Sequence, residues 1–141
     1  MFKEILLPIS ISDPVTWEKP LEAAIYLAQN CGARLHVMSV VPSFDYPSVE
    51  SFFPVDFEKK AHAQVSKELK DFVAKHIPEG VTAQTIVAVG SVYEQILKTV
   101  EEIPCDLIVM TRKGGPRRHF LLGGNTEKVV HHSGTAVLVL E

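Results

Sequence analysis

Residues 81–110 read VTAQTIVAVGSVYEQILKTVEEIPCDLIVM, and this stretch decides the fold. Val81 to Val89 reads as a strand, closed by Gly90. Ser91-Val92-Tyr93-Glu94 has the spacing of a capping box and predicts a helix start. Val92, Ile96, Leu97, Val100 and Ile103 then recur at helical spacing and mark an inner face. Asp106 to Met110 (DLIVM) is a short apolar run that suits a strand buried on both faces. Two strands joined through a helix run parallel, with a right-handed crossover.

The same alternation extends outward in both directions. Glu4 to Ile9 (EILLPI) predicts the first strand, and Ser12-Asp13-Pro14 is a helix-start signal with Asp13 available as the cap. Trp17, Leu21, Ala24, Ile25 and Ala28 follow at helical spacing, and Asn30-Cys31-Gly32 supplies the stop. Arg34 to Val41 is the second strand, closed by Pro42. Residues 43–55, with Phe52-Phe53-Pro54, show no period and read as a surface excursion. Phe57, Ala61, Val65, Leu69, Phe72 and His76 mark one face of a long helix that Pro78 ends. Beyond the loop at 111–124, a short helix at about 125–132 and a fifth strand, Ala136 to Leu140, complete the pattern. The expected fold class is α/β: one open, doubly wound, five-stranded parallel sheet with helices on both faces, Rossmann-like, spanning 1–141 as a single domain.

Composition narrows the function. A chain of 141 residues with 46% hydrophobic and 22% charged residues has the make-up of a globular domain. A net charge of -3 argues against a surface built to coat nucleic acid. No apolar run approaches the roughly 20 residues that span a bilayer. The opening apolar run is too short, and its acidic flank wrong, for a secretory signal, so the expected address is the cytoplasm. Cys31 and Cys105 lie far apart without a Cys-x-x-Cys pair and read as reduced, half-buried thiols.

In doubly wound sheets, ligands bind beyond the carboxyl ends of the strands, where strand order reverses. That rule nominates Pro8-Ile9-Ser10, the segment around Val40, and the stretch from Thr111 onward. The last contains Thr111, Arg112, Lys113 and Gly114, and later Gly123, Gly124, Asn125 and Thr126. Three of the chain's four arginines fall within it, on a net acidic protein. Its glycines allow a ligand close to the backbone, and the helix opening at Gly123-Gly124-Asn125-Thr126 presents free N–H groups and a partial positive charge suited to phosphate. Asn125 or Thr126 can cap that helix or offer a side-chain donor to phosphate.

With these residues in view, the whole chain resembles the universal stress protein family. The matching segments are Phe2-Lys3-Glu4-Ile5-Leu6-Leu7-Pro8, Val40-Val41-Pro42, Gly90-Ser91, Asp106 to Met110, Leu121-Leu122-Gly123-Gly124-Asn125, and Glu127 to His132. The resemblance implies an ATP- or AMP-binding fold, with adenine near the Val40 backbone and ribose near the end of strand one. The phosphates would lie between 111–114 and 123–126, and any Mg²⁺ would be held through them. It also implies a homodimer through strand 136–140 and a regulatory role through a protein partner. Three positions depart from the family pattern: Ser10 where Asp is frequent, Thr111 where the first motif glycine is usual, and Gly124 where Ser or Thr is usual.

Other chemistry finds little support. There is no His-Glu-x-x-His and no Cys/His spacing for zinc among the six histidines. No phosphate-binding Ser-Gly-Gly loop follows strand one, and no carboxylate pair sits at the strand ends. Two alternatives stay open: a stress or interaction module that binds no nucleotide, and slow ATP hydrolysis with water as nucleophile.

Overall fold

A computed structural model describes residues 1–41, 57–112 and 124–141. The expectations for 43–55, Lys113, Gly114 and Gly123 lie outside those residues. Five strands form one parallel sheet: β1 (Glu4–Pro8), β2 (Arg34–Val41), β3 (Ala83–Val89), β4 (Leu107–Thr111) and β5 (Ala136–Leu140). Their spatial order is β3-β2-β1-β4-β5, with every neighbouring pair parallel. The helices are α1 (Glu18–Cys31), α2 (Phe57–His76), α3 (Val92–Glu102) and α4 (Gly124–His132).

Alternation along the strands sends successive side chains to opposite faces. Ile5, Leu7, Leu35, Val37, Leu107 and Val109 form one core with Leu21, Ala24 and Ala28 of α1 and Leu69 and Phe72 of α2. Leu6, Met38, Ile108 and Met110 form the other, under Ile96 of α3 and Val129 of α4. Trp17 clamps the first layer: its ring meets Phe72 edge-on with centroids 5.0 Å apart, and its indole N–H donates to the Ile11 carbonyl. On the second face Lys128 lies over the Tyr93 ring, joining α4 to α3.

Element boundaries shift for identifiable reasons. The third strand begins at Ala83, because the Val81 N–H closes a turn on the Pro78 carbonyl. The fourth begins at Leu107, because the Asp106 carboxylate accepts the Lys3 and Glu4 N–H groups at the foot of β1. The predicted start of the first helix needs correction: Pro14–Thr16 is a short 3₁₀ helix, α1 follows at Glu18, and the Asp13 side chain caps neither. Thr16 takes over the local bonding there, its hydroxyl oxygen accepting the Ser10 N–H. The capping box at Ser91 is also not made; the Glu94 carboxylate accepts the Tyr93 hydroxyl at 3.3 Å instead. On α3 it is Thr99, with Ile96, that is buried, whereas Leu97 is only half-buried.

Gly32 ends α1 in the left-handed conformation, φ 66°, as the sequence predicts. Gly90 turns the chain from β3 into α3 with φ 142°, while its N–H donates to the Val41 carbonyl. A Cβ there would also stand 2.8 Å from Gln95 Nε2, at the end of a flexible side chain. Gly90→Ala is therefore expected to cost about 1–3 kcal/mol, from backbone strain more than from the contact. Urea denaturation checks this; a Gln95→Ala background should not restore the loss.

Both thiols are half-buried and free. The Cys105 thiol donates to the Leu107 carbonyl, and burial pushes its pKa up, which keeps it protonated and unreactive.

Candidate functional site

The strand order reverses between β1 and β4, since β2 and β3 lie to one side of β1 while β4 and β5 lie to the other. A cleft of about 510 Å³ opens at the carboxyl end of the sheet there. That volume is within the ordinary range for a small-molecule site.

Its floor is the end of the sheet. Pro8 ends β1 and Ile9 follows it, its N–H extending the ladder by donating to the Met38 carbonyl at 2.8 Å. Met38 and Val40 contribute from β2, and Met110 and Thr111 from β4, with Val92 at the start of α3. Met38 and Met110 are buried, so this part of the wall is apolar.

One side of the cleft is the start of α4. Gly124, Asn125 and Thr126 all line it, and they form the first turn, whose N–H groups have no acceptor inside the helix. The dipole places partial positive charge at this end. Thr126 is buried, and its hydroxyl donates to the Thr111 carbonyl at 2.8 Å, tying α4 to the end of β4. That bond corrects the expectation of a phosphate donor: the hydroxyl's one proton is already committed, leaving Thr126 only its backbone N–H. Asn125 is exposed at the lip.

The turn after β1 forms another part of the lining: Ser10, Ser12, Asp13 and Thr16. It is tightly held. The Ser10 N–H donates to Thr16 Oγ1 at 2.9 Å, and the Asp13 N–H donates to the Ser10 carbonyl at 3.0 Å. Thr16 Oγ1 also lies within bonding distance of the Asp13 and Ser10 carbonyls.

Pro8, Ile9, Ser10, Val40, Thr111, Gly124, Asn125 and Thr126 therefore meet in one cleft. Arg112 is not among the residues lining it. Its N–H continues the β4–β5 ladder to the Leu140 carbonyl, and its guanidinium lies 3.9 Å from the Glu141 carboxylate. Sequence reasoning missed Met38, Met110, Val92, Ser12, Asp13 and Thr16. The period of two would have supplied Met38 from Val40. Asp13 was legible only as a helix cap, which it is not.

Comparison with known proteins settles the family. The model of the universal stress protein family matches residues 1–141. The chain belongs to that family. Universal stress protein G of Escherichia coli O157:H7 is 26% identical over 143 residues, covering 99% of each chain. Among solved structures, universal stress protein UspA from Lactobacillus plantarum is similar with a TM-score of 0.74 at 24% identity, covering 99% of this chain and 98% of that one. A universal stress protein in complex with cAMP matches with a TM-score of 0.65 at 19% identity, covering 99% and 97%. A family protein from Arabidopsis thaliana with AMP bound matches with a TM-score of 0.64 at 14% identity, covering 98% and 90%. At these identities the structural likenesses establish the α/β fold of this universal stress protein.

Proposed function

We propose that this universal stress protein is a regulatory protein, one domain over 1–141, that binds an adenine nucleotide in the cleft at the carboxyl edge of its sheet. The observation that carries this is the meeting of an apolar floor (Met38, Val40, Met110) with the first turn of α4, whose N–H groups have no acceptor inside the helix, in one cleft. A flat base finds burial on the first, and a phosphate finds donors and positive charge at the second. Two relatives of the same fold are structures with cAMP and with AMP. Pro8, Ile9, Ser10 and Val40 would hold the nucleoside; Thr111, Gly124, Asn125 and Thr126, with Lys113, Gly114 and Gly123 of the adjoining segment, would hold the phosphates.

Any Mg²⁺ would arrive on ATP. Among the described residues no cluster of three or more potential metal ligands exists, and Asp13 is the one carboxylate lining the cleft. An ion bound mainly through phosphate oxygens needs no protein cage.

Among the described residues β5 ends the sheet, with no strand on its outer side; a second copy pairing there would form a homodimer. The bound state would be read by a regulatory protein in the cytoplasm. Among the described residues no helix is long and apolar enough to cross a membrane.

The test is equilibrium titration of the purified protein with AMP, ADP, ATP and cAMP, with and without Mg²⁺, followed by calorimetry. Saturable binding with one site per chain is expected. Absence of binding at millimolar nucleotide would end the proposal in favour of a ligand-free interaction module, and steady release of ADP from ATP would add slow hydrolysis.

A further inference from the structure

One hydrogen bond joins two residues of the cleft lining that stand 15 positions apart: the Thr126 hydroxyl donates to the Thr111 carbonyl at 2.8 Å. Both residues are buried, so water competes little for the bond. It holds what apolar packing leaves loose. α4 is a nine-residue helix anchored by Val129, which is fully buried in one cluster with Met110 and Ile96. Val129 lies three positions after Thr126, on the same helix face. Its burial decides which face turns inward, but apolar burial has no direction and tolerates a small slide along the helix axis. A hydrogen bond weakens steeply when bent or stretched. The Thr126 bond therefore fixes the first turn of α4 against the end of β4.

We infer that Thr126 is the positioning residue of the cleft's phosphate end. Its hydroxyl touches no ligand. Through Thr111 it holds the first-turn N–H groups of α4 where phosphate is read, and so sets the preference for a phosphorylated nucleoside over a bare one. This rests on the adenine-nucleotide assignment above. Donors aimed at an anion serve it only when held within about 0.5 Å of the productive geometry. A base on an apolar floor asks only for burial, and it tolerates a shift of α4 that a phosphate does not. The floor residues Met38 and Val40 belong to β2 and Met110 to β4, inside the sheet, so loosening α4 leaves the nucleoside end in place. One bond to a main-chain carbonyl thus governs one half of the ligand and not the other.

The experiment titrates AMP and adenosine into the parent protein, Thr126→Val and Thr126→Ser, read by NMR shift changes, with a thermal melt of each protein. Valine keeps the shape of threonine without the hydroxyl; serine keeps the hydroxyl without the methyl. Thr126→Val is expected to lose about tenfold in AMP affinity, the size of one hydrogen bond to a charged group, with adenosine affinity held within about twofold. Thr126→Ser should recover most of the AMP affinity. A merely structural role lowers the melting temperature without separating the two ligands. Three outcomes would overturn the inference: unchanged AMP affinity in Thr126→Val, equal losses for AMP and adenosine, or a loss in Thr126→Ser as large as in Thr126→Val, which would credit the methyl. Should Thr126→Val not fold, Thr126→Ala set against Thr126→Ser makes the same comparison. Equal affinity of the parent for AMP and adenosine would remove the phosphate from the α4 start, and the positioning role with it, while nucleoside binding stands. If neither ligand binds the parent at millimolar concentration, the nucleotide assignment itself falls.

Discussion

Gly124→Asp is expected to fold like the parent and to lose adenine-nucleotide affinity by about two orders of magnitude. Gly124 lies in the first turn of α4 and lines the cleft. Among the described residues, a Cβ added there meets nothing within 4 Å, so the substitution is expected to leave the backbone in place. A carboxylate at a helix start is favourable for the helix, by roughly 0.3–1 kcal/mol, so stability should hold or rise slightly. The same charge would stand where the phosphate binds. Two negative charges about 5 Å apart in a medium of effective dielectric near 20 repel by about 3 kcal/mol, which is roughly a hundredfold in affinity. Gly124→Ser is the control of similar size without charge, and it should bind at least as tightly as the parent because it adds a hydroxyl donor. Calorimetric titration and a thermal melt of both variants decide the matter. A Gly124→Asp protein that binds AMP normally would show that the phosphate does not sit at the start of α4.

The largest loss of stability is expected at His36. This side chain is 2% exposed, near the start of β2, on the same face of the strand as Met38. Its Nε2 lies 2.6 Å from the Glu4 carboxylate on β1, and its Nδ1 meets the Gln84 side-chain amide on β3. The Gln84 NH₂ donates to Nδ1, which places the ring hydrogen on Nε2 to donate to Glu4. One ring thus links three strands in register, Leu6↔His36 on one side and His36↔Gln84 on the other. His36→Ala removes the ring from a close-packed layer and leaves a cavity, with an expected cost of about 3 kcal/mol. His36→Leu keeps most of the volume. Glu4 and Gln84 both reach water, so they can be solvated once the ring is gone, and this variant should cost under about 1.5 kcal/mol. Urea denaturation with a constant m-value measures both. Equal losses for the two variants would mean that the hydrogen bonds, and not the packing, set the contribution of His36.

The candidate site was legible in proportion to how local its signals are. Gly124, Asn125 and Thr126 announce a helix start in three letters of sequence, and Pro8-Ile9-Ser10 is the plain end of an apolar run. Asp13 shows where local reading fails. Ser12-Asp13-Pro14 matches a capping pattern, but Thr16 folds back on Ser10 and supplies the local bonding, and Asp13 lines the cleft without capping either helix. Ser91 fails in the same way, because an exposed Glu94 finds the Tyr93 hydroxyl nearer than the helix start. A capping pattern states which bonds are available; the neighbouring side chains decide which are made.

Arg112 and His36 mark the further limit. Arg112 adjoins the glycine-bearing segment in sequence, yet the ladder carries it toward Leu140 and Glu141. His36 is one polar residue in an apolar strand until Glu4 and Gln84 arrive from segments 32 and 48 positions away.

What the sequence determined by itself was the succession of strands and helices, the parallel sense of the sheet, and the family. Periodicity and stop signals act over a few residues, so they survive in a one-dimensional reading. What only the tertiary structure decided was the order β3-β2-β1-β4-β5, the meeting of Asp13 with the start of α4 in one cleft, and the burial of His36. Those depend on contacts between segments far apart in the chain, whose free energy exists only once the layers have packed.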